Sequence, residues 1–309
     1  MSIGVGIAIS PSFEGSHIPG VSALFSYPKN SYNQGEADPT PTITGTTGGT
    51  FTGTSGIVFV DSGGSADSST GQIDLSASSI ATHTITYTVS GVSSNFELGI
   101  TAIPYQSTRS FSFDGINDYF DAGVISSLVS TTNFSVSGWF YFNSTATNKA
   151  IFSYGGATNT QYSFALQTQL NKLRFYFAYF LNDGGNRFVD SSIALSTSTW
   201  YHIAVTYDGN ETGNTNRAKI YVDGVNVTTT GGGTINSTTT ASTGSFNIGR
   251  WDISTGRFLD GKADEVSIWN TTLSSDAVTE IYNSGAPNDL ESLTNASSSN
   301  LVAWYKMGE

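Results

Sequence analysis

The sequence predicts an all-β protein of two domains, and three observations carry that expectation. Charged residues make up 12% of the 309, about half the usual share of ~25%, and 34 glycines with abundant Ser, Thr and Asn take their place. That composition suits short strands and many turns. Apolar residues alternate with period two in one segment after another, the signature of strands with one buried face. Long amphipathic helices are largely absent, and the length suffices for about two domains with sizeable cores.

The chain opens with MSIGVGIAIS. This stretch lacks a basic n-region, is interrupted by Gly4 and Gly6 and ends in no small-x-small cleavage site, so it reads as mature sequence. Ile3, Val5, Ile7 and Ile9 alternate with small residues, as in a strand whose second face is nearly flat. A lone strand cannot bury its apolar face. It either adds to the sheet of the following domain or docks onto another subunit by strand addition. Pro11, Pro19 and Pro28 break regular structure behind it, and residues 1–35 are expected to form this docking segment.

Residues 36–105 change character. Ile85, Tyr87 and Val89 alternate with Thr84, Thr86 and Thr88, and Gly/Ser turn clusters recur at short intervals. The succession of residues 48–51, 71–74 and 84–89 resembles the small immunoglobulin-like modules of bacterial surface and phage proteins. That resemblance implies a spacer domain, and with no internal repeat in the sequence a single copy is expected. Pro104 then discourages strand continuation, and a short linker leads into residues 106–309.

Within 106–309 the most informative stretch is 200–224, which holds two strand-like runs, each closed by Asp-Gly, around a polar loop with nothing to bury. Tyr201, Ile203, Val205 and Tyr207 share one face, His202, Ala204 and Thr206 the other, and Ile220 and Val222 repeat the pattern. Asp208-Gly209 and Asp223-Gly224 are expected to supply the positive-φ positions of hairpin turns. Residues 171–180 carry aromatics on both faces, as an interior strand of a sandwich would. One helix is predicted over 275–283, capped by Ser274, with Asp276 at its positive end and Gly285 and Pro287 ending it. The last ten residues read as a strand that either completes this sheet or meets a surface on another chain.

Taken in order, residues 110–123, 133–142, 200–224, 246–250 and 258–276 resemble the laminin-G-like, concanavalin-A-like jelly roll, particularly its divergent branch in bacterial surface proteins and phage virions. The fold class expected is therefore all-β, a small immunoglobulin-like sandwich followed by a concanavalin-A-like jelly-roll sandwich with one short helix. One fold hosts many activities, so sites must be argued from side chains.

The resemblance implies a structural calcium. Asp114, Asn117 and Asp118 around Gly115, with Asp264 and Glu265 farther on, offer suitable oxygen ligands, and Asp114, Asn117 and Asp264 are the candidate set. Asp-Gly turns also arise for backbone reasons alone. Lectins stack sugars on aromatics beside amides and carboxylates. Tyr154, Asn159, Tyr162, Asn182, Asp183, Arg250, Trp251 and Asp252 are candidates of that kind, with Trp251, Arg250, Tyr154 and Asn182 foremost.

Catalysis is not expected. Asp264 and Glu265 are adjacent, so they should face opposite sides of a strand, and no Glu-x-Asp-x-x-Glu run occurs. His17, His83 and His202 are scattered, and His202 reads as a packed or edge strand residue. The absence of cysteine excludes thiol chemistry. A net charge of -12 with 12 dispersed Lys and Arg argues against nucleic acid and anionic membranes, and no apolar run of ~20 residues suggests membrane insertion. The function implied is a non-enzymatic structural or adhesion protein on the surface of a tailed-phage virion. Its partners would be other virion proteins, copies of itself and host surface glycans. The alternative is a secreted or surface bacterial adhesin or lectin that binds polysaccharide.

Overall fold

The structure is a computed structural model that describes residues 20–61, 63–155, 162–177, 187–241, 244–251 and 257–308. The chain divides into two compact units, Met1–Pro104 and Tyr105–Glu309.

The first unit contains β1 (Phe25–Ser26), β2 (Ser31–Asn33), β3 (Thr42–Ile43), β4 (Thr50–Gly53), β5 (Phe59–Val60), β6 (Gln72–Ile73), β7 (Ala81–Val89) and β8 (Val92–Thr101). The alternating Thr and apolar residues of 81–89 form β7, which pairs with β8 through the two-residue turn Ser90-Gly91, both at positive φ. The four-stranded sheet runs β2-β8-β7-β4, with β2 parallel to β8. Ala23, Tyr27 and Tyr32 are buried in one core with Phe51, Tyr87 and Leu98, and the Tyr27 hydroxyl donates to the Gly71 carbonyl at 2.5 Å. Residues 21–33 therefore belong to this unit and not to a separate docking segment. Pro28 falls between β1 and β2, and burial of Tyr27 and Tyr32 anchors this stretch. Ile3, Val5, Ile7 and Ile9 lie outside the described residues.

The second unit contains β9 (Phe111–Asp114), β10 (Phe120–Asp121), β11 (Asn133–Phe142), β12 (Ala150–Gly155), β13 (Tyr162–Gln169), β14 (Lys172–Phe177), β15 (Phe188–Ser191), β16 (Trp200–Asp208), α1 (Asn214–Arg217), β17 (Ala218–Val222), β18 (Val225–Asn226), β19 (Thr228–Gly232), β20 (Phe246–Ile248), β21 (Asp260–Trp269), α2 (Ser275–Tyr282) and β22 (Leu301–Tyr305). Two antiparallel sheets face each other. One has the order β10-β20-β12-β13-β14-β15-β19, and the other β18-β17-β16-β11-β21-β22, with β9 also on β21. Their inner faces enclose a core that includes Phe134, Phe140, Phe164, Phe175, Tyr207 and Ile268. β14 is interior to the first sheet, as its two aromatic faces predict, and the terminal strand β22 completes the second by pairing with β21.

β16 and β17 form the expected antiparallel pair, and Asp223-Gly224 turns β17 into β18 with both residues at positive φ. Gly209 differs from expectation. Its φ is not among the positive ones; a Cβ there would lie 1.9 Å from the Ser237 carbonyl oxygen, so close approach requires the glycine. The polar loop also gains a helical turn, α1, because Arg217 Nε donates to the Glu211 carbonyl (2.7 Å) and Asn214 Nδ2 to the carbonyls of Gly232 and Gly233. Ser274 Oγ caps α2 by accepting from the Ala277 amide (3.1 Å). The helix ends at Asn283 in the left-handed region, before the predicted Gly285. Ala277, Val278 and Ile281 press it onto Ala204, Tyr221 and Trp269 on the outer face of the β11–β16–β21 sheet.

Candidate functional site

The part of that outer face not covered by α2 carries an aromatic cleft. Register puts Lys262 opposite Ser112, Tyr141 opposite Lys262, and Trp200 opposite Tyr141, so four neighbouring strands contribute one row. Their chain neighbours Ala263 and Phe140 are core residues, which leaves the row pointing outward. At about 4.8 Å per strand the row is roughly 14 Å long. The next row along places Trp139 between Asp264 and His202. Trp139, Trp200, Lys262 and Asp264 form the floor of a cleft of about 370 Å³, walled by residues 107–110 and by Gly285 and Pro287 behind α2. That volume falls within the range of small-ligand sites. Trp200 is 37% exposed and its ring lies 5.7 Å from that of Tyr141.

A β-bulge shapes the cleft floor. Between the core residues Ala263 and Val266 there are two residues instead of one, Glu265 has φ 53°, and the register shifts opposite 137–139. The expectation that Asp264 and Glu265 face opposite sides therefore fails, because the extra residue resets the alternation. Both carboxylates turn to the segment before β9. Ser107 Oγ donates to Asp264 Oδ2 (2.6 Å), the Tyr105 hydroxyl to Glu265 Oε1 (2.7 Å) and Trp304 Nε1 to Glu265 Oε2 (2.6 Å). Asp264 Oδ1 accepts from the Glu265 amide (2.9 Å). Burial raises the Glu265 pKa against the opposing pull of those donors.

Beside Trp139, His202 is fully buried, its ring 5.5 Å from Trp139 and 6.1 Å from Tyr282. Neither ring nitrogen has a hydrogen-bond partner among the described residues, and burial pushes the imidazole down to about 3. The residue expected to be a packed strand histidine is one. Arg109 in the cleft wall is exposed and Lys262 in the floor is half-buried, its ammonium 5.5 Å from the Tyr141 ring centre.

Residues 114–279, more than half of the chain, match the family Laminin_G_3 of the concanavalin A-like lectin/glucanases superfamily. The chain belongs to this family. Among solved structures, the Laminin_G_3 chain is similar to a candidate carbohydrate-binding protein from Bacteroides ovatus, with 16% identity and a TM-score of 0.56 over 92% of this chain and 89% of that one. At that identity the likeness is one of fold. Domain 4 of AbnA, an extracellular arabinanase from Geobacillus stearothermophilus, in complex with arabinotriose, matches at 21% identity and TM-score 0.44, covering 58% and 79%. Domains LG4-5 of the mouse laminin alpha1 chain match at 17% and 0.39, covering 57% and 48%. No curated protein matches the sequence.

The ligand residues expected from sequence lie elsewhere in this Laminin_G_3 fold. Tyr154 is a core residue of β12, its hydroxyl bonded to the Ile125 carbonyl (3.2 Å), so it is no surface contact. Trp251 is 1% exposed and offers no face to a sugar, contrary to its place among the stacking candidates. The chain folds back through the Arg250–Phe258 bridge and lays the indole on Ala150, Ala165 and Tyr176, where two small side chains leave room. The Arg257 guanidinium lies 4.6 Å from its ring centre. Arg250 stacks 3.5 Å from the Tyr119 ring and bonds Asn247 (3.0 Å). Tyr162 opens β13 at the same end as Gly155, away from Arg250. Asn159, Asn182, Asp183 and Asp252 lie outside the described residues.

The calcium set does not converge either. Asp114 sits opposite Asp260 in register, and Asp264 is four residues farther along β21, about 13 Å at ~3.3 Å per residue. Asp114 Oδ1 accepts from the amides of Ile116 (2.8 Å) and Asn117 (3.2 Å), which holds its carboxyl below the usual range and makes it a turn-forming residue. Asp114, Asn117 and Asp264 do not fit one calcium ion, and no three His, Cys, Asp or Glu side chains gather among the described residues. The cleft residues Trp200, Trp139, Lys262 and Arg109, and Tyr141 beside them, were not among the sequence candidates. Their only sequence signal is parity, since Trp200 falls on the face opposite Tyr201.

Proposed function

We propose that the protein is a non-catalytic saccharide-binding protein whose ligand lies across the outer-face cleft. The observation that carries this reading is the row of Trp200 and Tyr141 beside Lys262 and Asp264, an aromatic platform flanked by polar groups on a rigid sheet. Lectins within the superfamily and the name of the Bacteroides ovatus fold neighbour agree with it. A glycosidase needs two carboxyls facing one sugar, whereas Asp264 is engaged by Ser107 and Glu265 by Tyr105 and Trp304. The test is a glycan array followed by calorimetry on the polysaccharides that bind. Trp200→Ala is expected to lose tenfold or more in affinity with its near-UV circular dichroism intact, and no reducing ends are expected to be released. Undiminished binding by Trp200→Ala overturns the assignment of the cleft, and released sugar overturns the non-catalytic reading.

Display on a virion, with the first unit as an immunoglobulin-like spacer, is a second proposal carried by sequence resemblance alone. Peptide mass spectrometry of purified particles against cell-envelope fractions tests it, and recovery only with the envelope favours the surface adhesin.

A further inference from the structure

Resting on the saccharide-binding reading of the cleft, we propose that its ligand is an acidic saccharide, a glycan bearing uronic-acid carboxylates. The sugar rings would lie on Trp200 and Tyr141 and the carboxylates on Arg109 and Lys262. Basic side chains are scarce in this chain, 12 against 24 acidic ones. The ion pairs among the described residues are Lys29–Glu36 and Arg174–Asp190. Among the described residues neither Arg109 nor Lys262 joins such a pair, and both line one cleft.

The carboxylate on the cleft floor does not substitute for one. Asp264 already accepts from Ser107 Oγ and the Glu265 amide, and it follows the bulge toward residues 105–107. Lys262 is half-buried against Tyr141, where reduced solvation strengthens its attraction for an anion. The Arg109 guanidinium offers a planar fork that matches a carboxylate with two parallel hydrogen bonds. Lys262 is one strand from Tyr141 and two from Trp200. A chain crossing the strands would therefore meet the ammonium at one end of the aromatic row. The geometry favours a carboxylate carried on a sugar over a free anion, because the cations adjoin a stacking surface.

The experiment measures calorimetric affinity of the full chain for polygalacturonate, alginate and hyaluronan, each beside its carboxyl-reduced counterpart, with dextran sulfate as an anion lacking the carboxylate. The native protein is expected to bind at least one uronate polymer tenfold or more tighter than its reduced form. The double variant Arg109→Gln/Lys262→Gln is expected to remove that preference, and near-UV circular dichroism checks its fold. Trp200→Ala is expected to weaken both forms. Equal binding of acid and reduced forms, both weakened by Trp200→Ala, overturns the acidic preference and leaves the saccharide site standing. Dextran sulfate bound as tightly as the best uronate overturns carboxylate recognition in favour of general anion attraction. Failure to bind any of these polymers, or binding indifferent to Trp200→Ala, counts against the saccharide reading itself.

Discussion

Two tryptophans with opposite environments separate stability from recognition. Trp251 is enclosed by Ala150, Ala165 and Tyr176, so Trp251→Ala leaves a cavity and is expected to cost about 3–5 kcal/mol in chemical denaturation. Trp200→Ala removes a ring that is already partly in water and should cost less than about 1 kcal/mol of stability while the proposed saccharide affinity falls tenfold or more. A second residue-scale expectation concerns His202, whose pKa falls from 6.5 unfolded to about 3 folded. The unfolded chain takes up a proton that the folded chain refuses, so stability present above pH 6.5 is lost as pH falls toward 3, by up to about 1.4 kcal/mol per pH unit. Glu265, raised by burial, works in the opposite sense below neutral pH and partly masks the loss. Urea midpoints between pH 7 and 4.5 should therefore fall less steeply for His202→Leu than for the native chain, and parallel slopes would reject this account.

Among elements, the bulge in β21 does the most to build the site. It brings two neighbouring carboxylates to one side, where they tether residues 105–107 and so set one wall of the cleft. Glu265→Ala would leave the Tyr105 hydroxyl and the Trp304 indole without their carboxylate acceptor, at an expected cost of about 2–3 kcal/mol. The wall should loosen with it. Faster tryptic cleavage after Arg109 in the variant under native conditions is the measurement, and an unchanged rate would show that other contacts hold the segment. α2 covers the remainder of the same face through Val278 and Ile281, which confines the open surface to the strip ending at Trp200.

At the scale of the molecule, each unit has a core of its own, Phe51, Tyr87 and Leu98 in the first and Phe134, Phe164 and Phe175 in the second. A fragment of residues 105–309 is expected to fold alone and to bind saccharide as the full chain does. A molten circular dichroism spectrum of that fragment would contradict two independent cores. Much of this architecture is legible in the sequence, because strand identity depends on period-two alternation and turn residues, which are local. The alternation in 200–207, the Asp223-Gly224 turn and the Ser274 cap all predict the elements that form, and five ordered motifs point to the family to which the chain belongs. The site depends on something that no local pattern contains. Tyr141, Trp200 and Lys262 follow one another at intervals of about sixty residues in sequence and meet only because long-range pairing sets the register of β11, β16 and β21. Trp251 is buried because distant Ala150 and Ala165 leave space for it, and Asp264 and Glu265 share a side because one residue is left over when β21 pairs with β11. Periodicity determined which residues face in or out along each strand; the pairing of strands decided which of them meet.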